Sequence, residues 1–148
     1  MSIFNKEPKA LTQETYKVAG MHYHIDNAHI AKLLKPNKIY WNNKKIISAG
    51  RAMQRIFKYD IATLPAKLVA EKHNEYDKNA VAVYVSHKHI GYIPADSAPH
   101  VRELMKKRII TDVTVRIGGG EYKVVSLNGE GVTMDGDFYA DVLIFCKG

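Results

Sequence analysis

The sequence predicts one α+β domain that is mainly β, built as a small barrel or strongly curved sheet with flanking helices. Short runs rich in Val, Ile and Tyr recur along the chain, and Gly, Asn, Asp and Pro separate them, which is typical of strands joined by tight turns. Amphipathic stretches interrupt the strands, and a chain of 148 residues suits one domain with its own core. Short strands with helices packed outside favour a small barrel or a curved sheet.

Hydrophobic periodicity and turn residues divide the chain into its expected elements. These are a strand at 16–19, helices at 26–34 and 44–58, strands at 67–70, 80–85 and 89–93, a helix at 95–107, and strands at 111–117, 121–127 and 138–145. Residues 1–14 show no periodicity and are predicted to form a flexible arm. The unbroken apolar run at 80–85 predicts a strand at the centre of the sheet. The glycines at 118–120 are predicted to join two strands as a hairpin.

The ends of the predicted helices follow from capping residues and prolines. Asp26 is the expected N-cap of the first helix, and Pro36 stops it. Asp96 or Ser97 is the expected cap of the helix at 95–107, where Pro99 suits the first turn. Residues 22–24, which read His-Tyr-His, are predicted to form a polar aromatic loop or a strand end.

The positive charge of the chain is concentrated in one segment. The formal net charge is +7, and residues 35–58 contain seven Lys and Arg residues and no Asp or Glu. On the predicted helix at 44–58 four cations share one face: Lys44, Arg51, Arg55 and Lys58. This face is either the solvated side of an ordinary amphipathic helix or a row of cations that contacts phosphates. Gly50 weakens the helix prediction, since glycine inside a helix costs about 1 kcal/mol.

Composition gives no indication of a membrane protein or a secreted protein. No apolar run approaches the roughly 20 residues that a membrane span needs. The first residues lack the apolar core of a signal peptide, and the single cysteine, Cys146, can form no internal disulfide. We therefore expect a cytoplasmic protein that is nucleoid-associated at most.

No enzyme or cofactor signature stands out. The glycines at 118–120 lack the Lys-Ser/Thr of a phosphate-binding loop. Histidines two apart on a strand share a face, so His22 with His24, or His87 with His89, could chelate a metal. Neither pair comes with the further His or Cys spacing of a zinc site. We expect no metal, no cofactor and no catalytic residue.

The loop at 74–79, Asn-Glu-Tyr-Asp-Lys-Asn, carries the strongest functional signal. Asn and Asp suit a turn, whereas a bulky aromatic such as Tyr76 is not needed for one. Tyr76 either packs into the core beneath the loop or stands at the surface as a platform for base stacking. A carboxylate repels phosphate, so Asp77 suits a position without one, such as a terminal 3′-hydroxyl from which it accepts a hydrogen bond.

This loop and its surroundings resemble the HIRAN domain family. The residues that carry the resemblance are N-E-Y-D-K-N-A-V-A-V at 74–83, I-G-Y-I-P at 90–94 and K-V-A-G at 17–20 with Tyr23 beyond it, and it extends through 118–120 to 138–142. The resemblance implies a compact OB-like β-barrel at 15–148, with the basic helical segment at about 35–58 as an insertion. It also implies a free-standing bacterial-type member without helicase or ubiquitin-ligase parts.

The resemblance further implies binding to the free 3′ end of single-stranded DNA. The contact residues that it implies are Tyr23, Asn74, Tyr76, Asp77, Tyr92 and His22. In helicase-like relatives the Tyr-Asp pair contacts the terminal nucleotide and its 3′-hydroxyl, and an aromatic after the first strand stacks on a base. The function implied is a non-enzymatic module in DNA repair or replication-fork processing, with a helicase or repair protein as partner.

The chain departs from those relatives at three positions. His22 stands at an arginine position, Tyr92 at a histidine position and Ala95 at a lysine position. The end pocket is therefore expected to persist, while the phosphate contacts move to the basic segment. Each residue also has a structural explanation, because Tyr92 can be a core aromatic, and Asn74 and Asp77 can brace the loop.

Two other functions compete with this prediction. The apolar side of the basic helix, with Ile46, Met53 and Phe57, or an open strand edge would suit a protein partner. A metal-dependent hydrolase acting on DNA ends would need Glu75, Asp77 and Asp96 to converge.

Overall fold

The computed structural model describes residues 11–148, in which nine β-strands form two antiparallel sheets with a few short helices. The strands are β1 Leu11–Lys17, β2 Ile56–Phe57, β3 Ala62–Ala70, β4 Val81–Val85, β5 Lys88–Tyr92, β6 Ile110–Gly119, β7 Tyr122–Val125, β8 Gly131–Met134 and β9 Phe138–Lys147. The α-helices are α1 Met21–His24, α2 Asn27–Lys32, α3 Asn43–Ser48 and α4 Ala98–Lys107, and Lys38–Trp41 forms a 3-10 helix. The prediction of a mainly β, α+β domain is confirmed. Among residues 11–148, no helix is long and apolar enough to cross a membrane.

The larger sheet has six strands in the order β1-β9-β6-β3-β4-β5 and carries the main core. Strand β4 lies between β3 and β5, and Val81, Ala82 and Val83 are fully buried. An apolar run without polar alternation forms this strand because both of its faces are covered. The prediction that this strand is not at an edge is confirmed, although it lies next to the edge strand β5 rather than in the middle of the sheet.

The predicted barrel is not confirmed, because the larger sheet does not close. Strands β1 and β5 are its two edges, and a single residue pair joins them, Ala19 with Tyr92. The two backbone hydrogen bonds of this pair have N–O distances of 2.8 and 2.9 Å. A Cβ at Gly91 would lie 2.5 Å from the carbonyl oxygen of Ala19, so the close approach of the two edges requires glycine.

The basic segment folds with the β7–β8 hairpin into a small lobe, which we define as residues 37–58 and 121–136. Its sheet has the order β2-β7-β8, and its core contains Tyr40, Ile46, Ile56 and Val125. The prediction of one helix at 44–58 is wrong beyond Ser48. Gly50 and Met53 take the left-handed conformation, with φ of 73° and 66°, which ends the helix. Ile56 then pairs with Lys123 in a strand.

The glycines at 118–120 connect the two sheets rather than forming a hairpin. Strand β6 pairs with β3 and β9, whereas β7 pairs with β2 and β8, so the predicted β6–β7 hairpin is wrong. Gly119 and Gly120 have φ of 84° and 82°, which other residues rarely adopt. Strand β8, whose four residues are all exposed, was not predicted because it lacks an apolar side to signal it.

The N-terminal region differs from the prediction at its boundaries. Strand β1 begins at Leu11, so residues 11–14 of the predicted arm belong to a strand; residues 1–10 lie outside the described residues. Residues 22–24 belong to a helical turn, α1, rather than to a loop. The Asp26 cap is confirmed, because its side chain accepts a hydrogen bond from the His29 backbone N–H at 2.8 Å.

Candidate functional site

Five of the six predicted DNA contacts line one open cavity of about 460 Å³ at the end of β5. These are Tyr23, Asn74, Tyr76, Asp77 and Tyr92. Small or apolar residues form the rest of its wall together with His24: Ala19, Ala80, Ile93 and Ala95. The sixth, His22, lines a neighbouring cavity with Pro94 and Phe138. We call the first of these the Tyr76 cavity.

The side chain of Asn74 organises the loop beside this cavity. Its Oδ1 accepts hydrogen bonds from the backbone N–H groups of Tyr76 at 2.9 Å and Asp77 at 3.0 Å. Its Nδ2 donates to Glu71 Oε1 at 3.0 Å. Asn and Asp side chains that bond the backbone two or three residues on are the usual means of fixing such turns. Asn74 therefore braces the loop, and these bonds use both lone pairs of its Oδ1 and one of the two N–H groups of its Nδ2.

Tyr76 stands at the surface, which is one of the two positions that the sequence left open for it. The exposed fraction of its side chain is 95%, and that of Tyr23 across the cavity is 86%. The alternative in which Tyr76 packs into the core beneath the loop is wrong. Two exposed rings beside an apolar wall give the cavity surfaces on which a base or sugar can stack.

Asp77 combines a bracing role with an available oxygen. Its Oδ1 accepts a hydrogen bond from the Asn79 backbone N–H at 2.8 Å, and the side chain is half-buried. Within residues 11–148 its Oδ2 has no hydrogen-bond partner. A half-buried carboxylate with one fixed and one available oxygen can accept a hydrogen bond from a ligand hydroxyl.

Tyr92 and Glu71 form a polar anchor under the cavity. The Tyr92 hydroxyl donates to Glu71 Oε1 at 2.7 Å, so this hydroxyl is already engaged. Burial and the hydrogen bond to Glu71 raise the pKa of Tyr92 to about 12. Burial alone would raise the pKa of Glu71, but the hydrogen bonds from Tyr92 and Asn74 lower it below its usual value. Glu71 is thus an ionised acceptor that ties the loop to β5.

The histidines pair differently from the sequence-based expectation. The rings of His24 and His89, one from each predicted pair, lie 4.3 Å apart between centroids, and both contact the Tyr92 ring edge-on. Burial and the neighbouring His89 lower the pKa of His24. In the part of the chain that the structure describes, no three His, Cys, Asp or Glu residues lie close enough to hold a metal, Glu75, Asp77 and Asp96 included.

Arg102 supports the loop from α4 and was not identified from the sequence. It is 9% exposed, and its Nη1 donates to the backbone carbonyl of Lys78 at 3.0 Å. The signal was present, because Arg102 follows Ala98 by four residues, a spacing that places it on the buried face of the helix. Glu71, directly after β3, was also missed; it bonds to the nearby Asn74, but its partner Tyr92 lies far away in the sequence, on β5.

The four predicted phosphate contacts do not line the Tyr76 cavity and do not form a row. Lys44 lies on α3, and Arg51 lies in the following turn. The Arg55 guanidinium lies 5.0 Å from the Tyr122 ring centroid, and Lys58 Nζ lies 3.6 Å from Glu121 Oε2. All four cations belong to the small lobe, but the helix that was predicted to align them ends at Ser48, and Arg55 and Lys58 flank β2 instead. The predicted apolar docking face is also absent, because Ile46 is fully buried while Met53 is 66% exposed.

Comparison with known protein families identifies the fold to which this cavity belongs. The family model of the HIRAN domain matches residues 15–126, which include every residue that lines the Tyr76 cavity. The chain belongs to the HIRAN domain family. This family is associated with DNA binding, so the predicted membership and a nucleic-acid partner are both supported.

Two solved structures resemble the chain at low sequence identity. The HIRAN domain of human HLTF is 14% identical, with a TM-score of 0.45, over 91% of this chain and 76% of that chain. A protein from Lactobacillus plantarum is 16% identical, with a TM-score of 0.37, over 93% of this chain and 98% of that chain. The search of curated proteins found no match.

Proposed function

We propose that the Tyr76 cavity binds the 3′-terminal nucleotide of single-stranded DNA, and that the protein is a non-enzymatic end-binding module in DNA repair or replication-fork processing. The observation that carries the proposal is the pairing of a 95% exposed Tyr76 with a half-buried Asp77 that has an available oxygen. Asn74 fixes both residues through their backbone N–H groups. The family's association with DNA binding supports the same class of ligand.

The chemistry of the cavity suits a nucleoside rather than a phosphate. Stacking of a base on an exposed ring such as Tyr76 or Tyr23 contributes roughly 1–3 kcal/mol. The apolar wall accommodates a sugar or base, whereas a phosphate there would lose hydration without gaining a cation. Asp77 accepts a hydrogen bond from a 3′-hydroxyl and repels a 3′-phosphate, since both groups are anionic. The terminal hydroxyl is therefore the group that the cavity selects.

The test compares two labelled oligonucleotides that differ only at the 3′ end. Fluorescence anisotropy should give at least tenfold weaker binding for the 3′-phosphate than for the 3′-hydroxyl, with binding to both falling steeply as salt rises. Asp77→Asn should reduce this difference, because the variant keeps the shape and removes the charge. Tyr76→Ala should weaken binding of both oligonucleotides by about tenfold or more.

Asn79→Ala is the matched control in the same loop. Asn79 is exposed, and its side chain makes no hydrogen bond to other residues in 11–148, so we expect wild-type affinity and wild-type discrimination. Equal affinities of the wild type for the two oligonucleotides would refute end recognition. If Asp77→Asn discriminates between the two oligonucleotides as strongly as the wild type does, Asp77 does not recognise the hydroxyl.

A further inference from the structure

The small lobe presents an exposed tryptophan that the Tyr76 cavity does not use. Trp41 is the only tryptophan in the chain, and 64% of its surface is exposed. Its ring contacts Tyr40 edge-on at 5.0 Å between centroids. Tyr40 is 4% exposed, and its hydroxyl donates to Glu121 Oε2 at 2.6 Å. The exposed indole therefore packs on one side against a buried tyrosine, while most of its surface faces solvent.

Each ring of this aromatic pair has a lysine close to it. Lys58 Nζ lies 5.6 Å from the centroid of the Trp41 ring, and Lys123 Nζ lies 4.6 Å from that of Tyr40. The nearby Glu121 is engaged by Tyr40 and Lys58, and residues 35–58 contain seven cations and no acid. An exposed ring with cations nearby combines base stacking with phosphate neutralisation, which is how proteins hold single-stranded nucleic acid.

Three cavities with shared wall residues lie between the Tyr76 cavity and the lysine beside Trp41, counting the Tyr76 cavity itself. The Tyr76 cavity and the cavity around His22 share Ala19 in their walls. The cavity around His22 shares Phe138 with a third cavity, of about 640 Å³, which Lys58 and Tyr59 also line. Lys58 is the same residue that reaches the Trp41 ring. We take this succession of neighbouring cavities as the path of a strand that leaves the Tyr76 cavity.

We propose that a single strand of DNA whose 3′ end occupies the Tyr76 cavity continues along this path and stacks an internal base on Trp41, with its phosphates beside Lys58 and Lys123. This inference rests on the proposed function. Glu121, Asp135 and Asp137 also line the third cavity, and Glu121 Oε2 lies 3.6 Å from Lys58 Nζ. Carboxylates accept hydrogen bonds from the amino groups of bases and repel phosphates, so bases face these carboxylates and phosphates face the lysines.

The test uses the emission of Trp41, which no other tryptophan obscures. Unlabelled oligonucleotides with a 3′-hydroxyl are titrated at lengths from about 3 to about 12 nucleotides, a range that covers the smaller sites of single-strand-binding folds. The shortest should bind without changing the emission, whereas the longest should quench it and bind at least tenfold more tightly. Trp41→Ala should remove the tighter binding of the long oligonucleotide and leave the short one unaffected, and Trp41→Phe should restore most of it.

Leu127→Ala is the matched control for this substitution. Leu127 is 79% exposed on the same lobe, so it reports a general effect of removing an exposed apolar side chain, and we expect no change in binding. The inference is overturned if the emission of Trp41 does not change when the long oligonucleotide binds, or if Trp41→Ala binds this oligonucleotide as tightly as the wild type does. The Trp41 ring would then be available to another partner, such as a protein.

Photocrosslinking separates this inference from the function on which it rests. 5-Bromouracil is placed at one position of the long oligonucleotide at a time, and the crosslinked peptide is identified. We expect crosslinks to Trp41 from an internal position. A maximum at the 3′-terminal position would overturn the Trp41 inference, because the end would then lie in the small lobe. If instead the wild type binds the 3′-hydroxyl and 3′-phosphate oligonucleotides equally well and an internal position still crosslinks to Trp41, end recognition in the Tyr76 cavity is contradicted and the Trp41 inference is not.

Discussion

Substitution of Asn74 by alanine tests how the Tyr76-Asp77 pair is held in place. The substitution removes two hydrogen bonds from backbone N–H groups and one to the Glu71 carboxylate. Each of the first two hydrogen bonds contributes about 1 kcal/mol, and the third contributes about 1.5 kcal/mol, a value at the low end because Asn74 is half-exposed. Together they stabilise the ordered loop by about 3.5 kcal/mol. Because the loop can open without unfolding the sheet, we expect the free energy of global unfolding to fall by about 2 kcal/mol.

The same substitution should also weaken DNA binding. The ordering of the loop would then be driven by binding of the 3′ end, so affinity should fall by roughly 10- to 100-fold, at about 1.4 kcal/mol for each tenfold change. Urea unfolding measures the stability, and fluorescence anisotropy with a 3′-hydroxyl oligonucleotide measures the affinity. Asn79→Ala, with its exposed side chain, should change the unfolding free energy by less than about 0.5 kcal/mol.

Asn74→Asp provides a second measurement on the same side chain. The variant keeps an acceptor for the two backbone N–H groups but places a carboxylate beside that of Glu71. We expect it to be less stable than wild type at neutral pH and to recover part of the difference as the pH falls and the carboxylates become protonated. If Asn74→Ala unfolds within about 0.5 kcal/mol of wild type and binds DNA equally well, the bracing role of Asn74 is refuted.

Three further perturbations test the surroundings of the cavity. Hydrogen bonds hold the pKa of Glu71 below its value in the unfolded chain, so Glu71 stabilises the fold above that unfolded value, and this stabilisation is lost as the pH falls. Between about pH 6 and about pH 3, the free energy of unfolding in urea should therefore fall more for the wild type than for Glu71→Gln. Arg102→Met should destabilise the fold by about 2 kcal/mol in urea, because it leaves the Lys78 carbonyl without its donor. Gly91→Ala should cost about 3 kcal/mol by thermal or urea unfolding, since its Cβ would lie 2.5 Å from the Ala19 oxygen; a cost below about 0.5 kcal/mol would show that the two sheet edges adjust freely.

Local patterns predicted the elements that local forces determine. The apolar run of β4 is stable only where both faces of the strand are buried. Asp26 caps its helix by accepting a hydrogen bond from a residue three positions away. The loop at 74–79 was recognisable because Asn74 and Asp77 bond the backbone of their immediate neighbours. In each case the partner lies close in sequence, or burial alone selects the conformation.

The remaining features depend on partners far away in the sequence. The spacing of apolar residues at 44–58 fits a helix that Gly50 weakens, but the strand that follows depends on pairing of Ile56 with Lys123 on β7. The three glycines at 118–120 indicate a turn, but their sequence holds no information on which sheet follows. The bond from Tyr92 to Glu71 joins two strands that are not adjacent in the chain. For these reasons the loop was predictable, whereas its anchor and the position of the cations were not.

The connections of the small lobe have a consequence for engineering this protein. The small lobe consists of two segments of the chain. The bridge between Pro36 and Tyr59 lies at the base of the first segment, residues 37–58, and the pair Gly119 and Phe138 lies at the base of the second, residues 121–136. Both excursions are therefore closed at their base by backbone pairing. Two short turns could replace them while every strand pair of the six-stranded sheet is kept. The lobe is thus an exchangeable attachment, and grafting other hairpins at the same two points offers a way to change what lies beside the Tyr76 cavity.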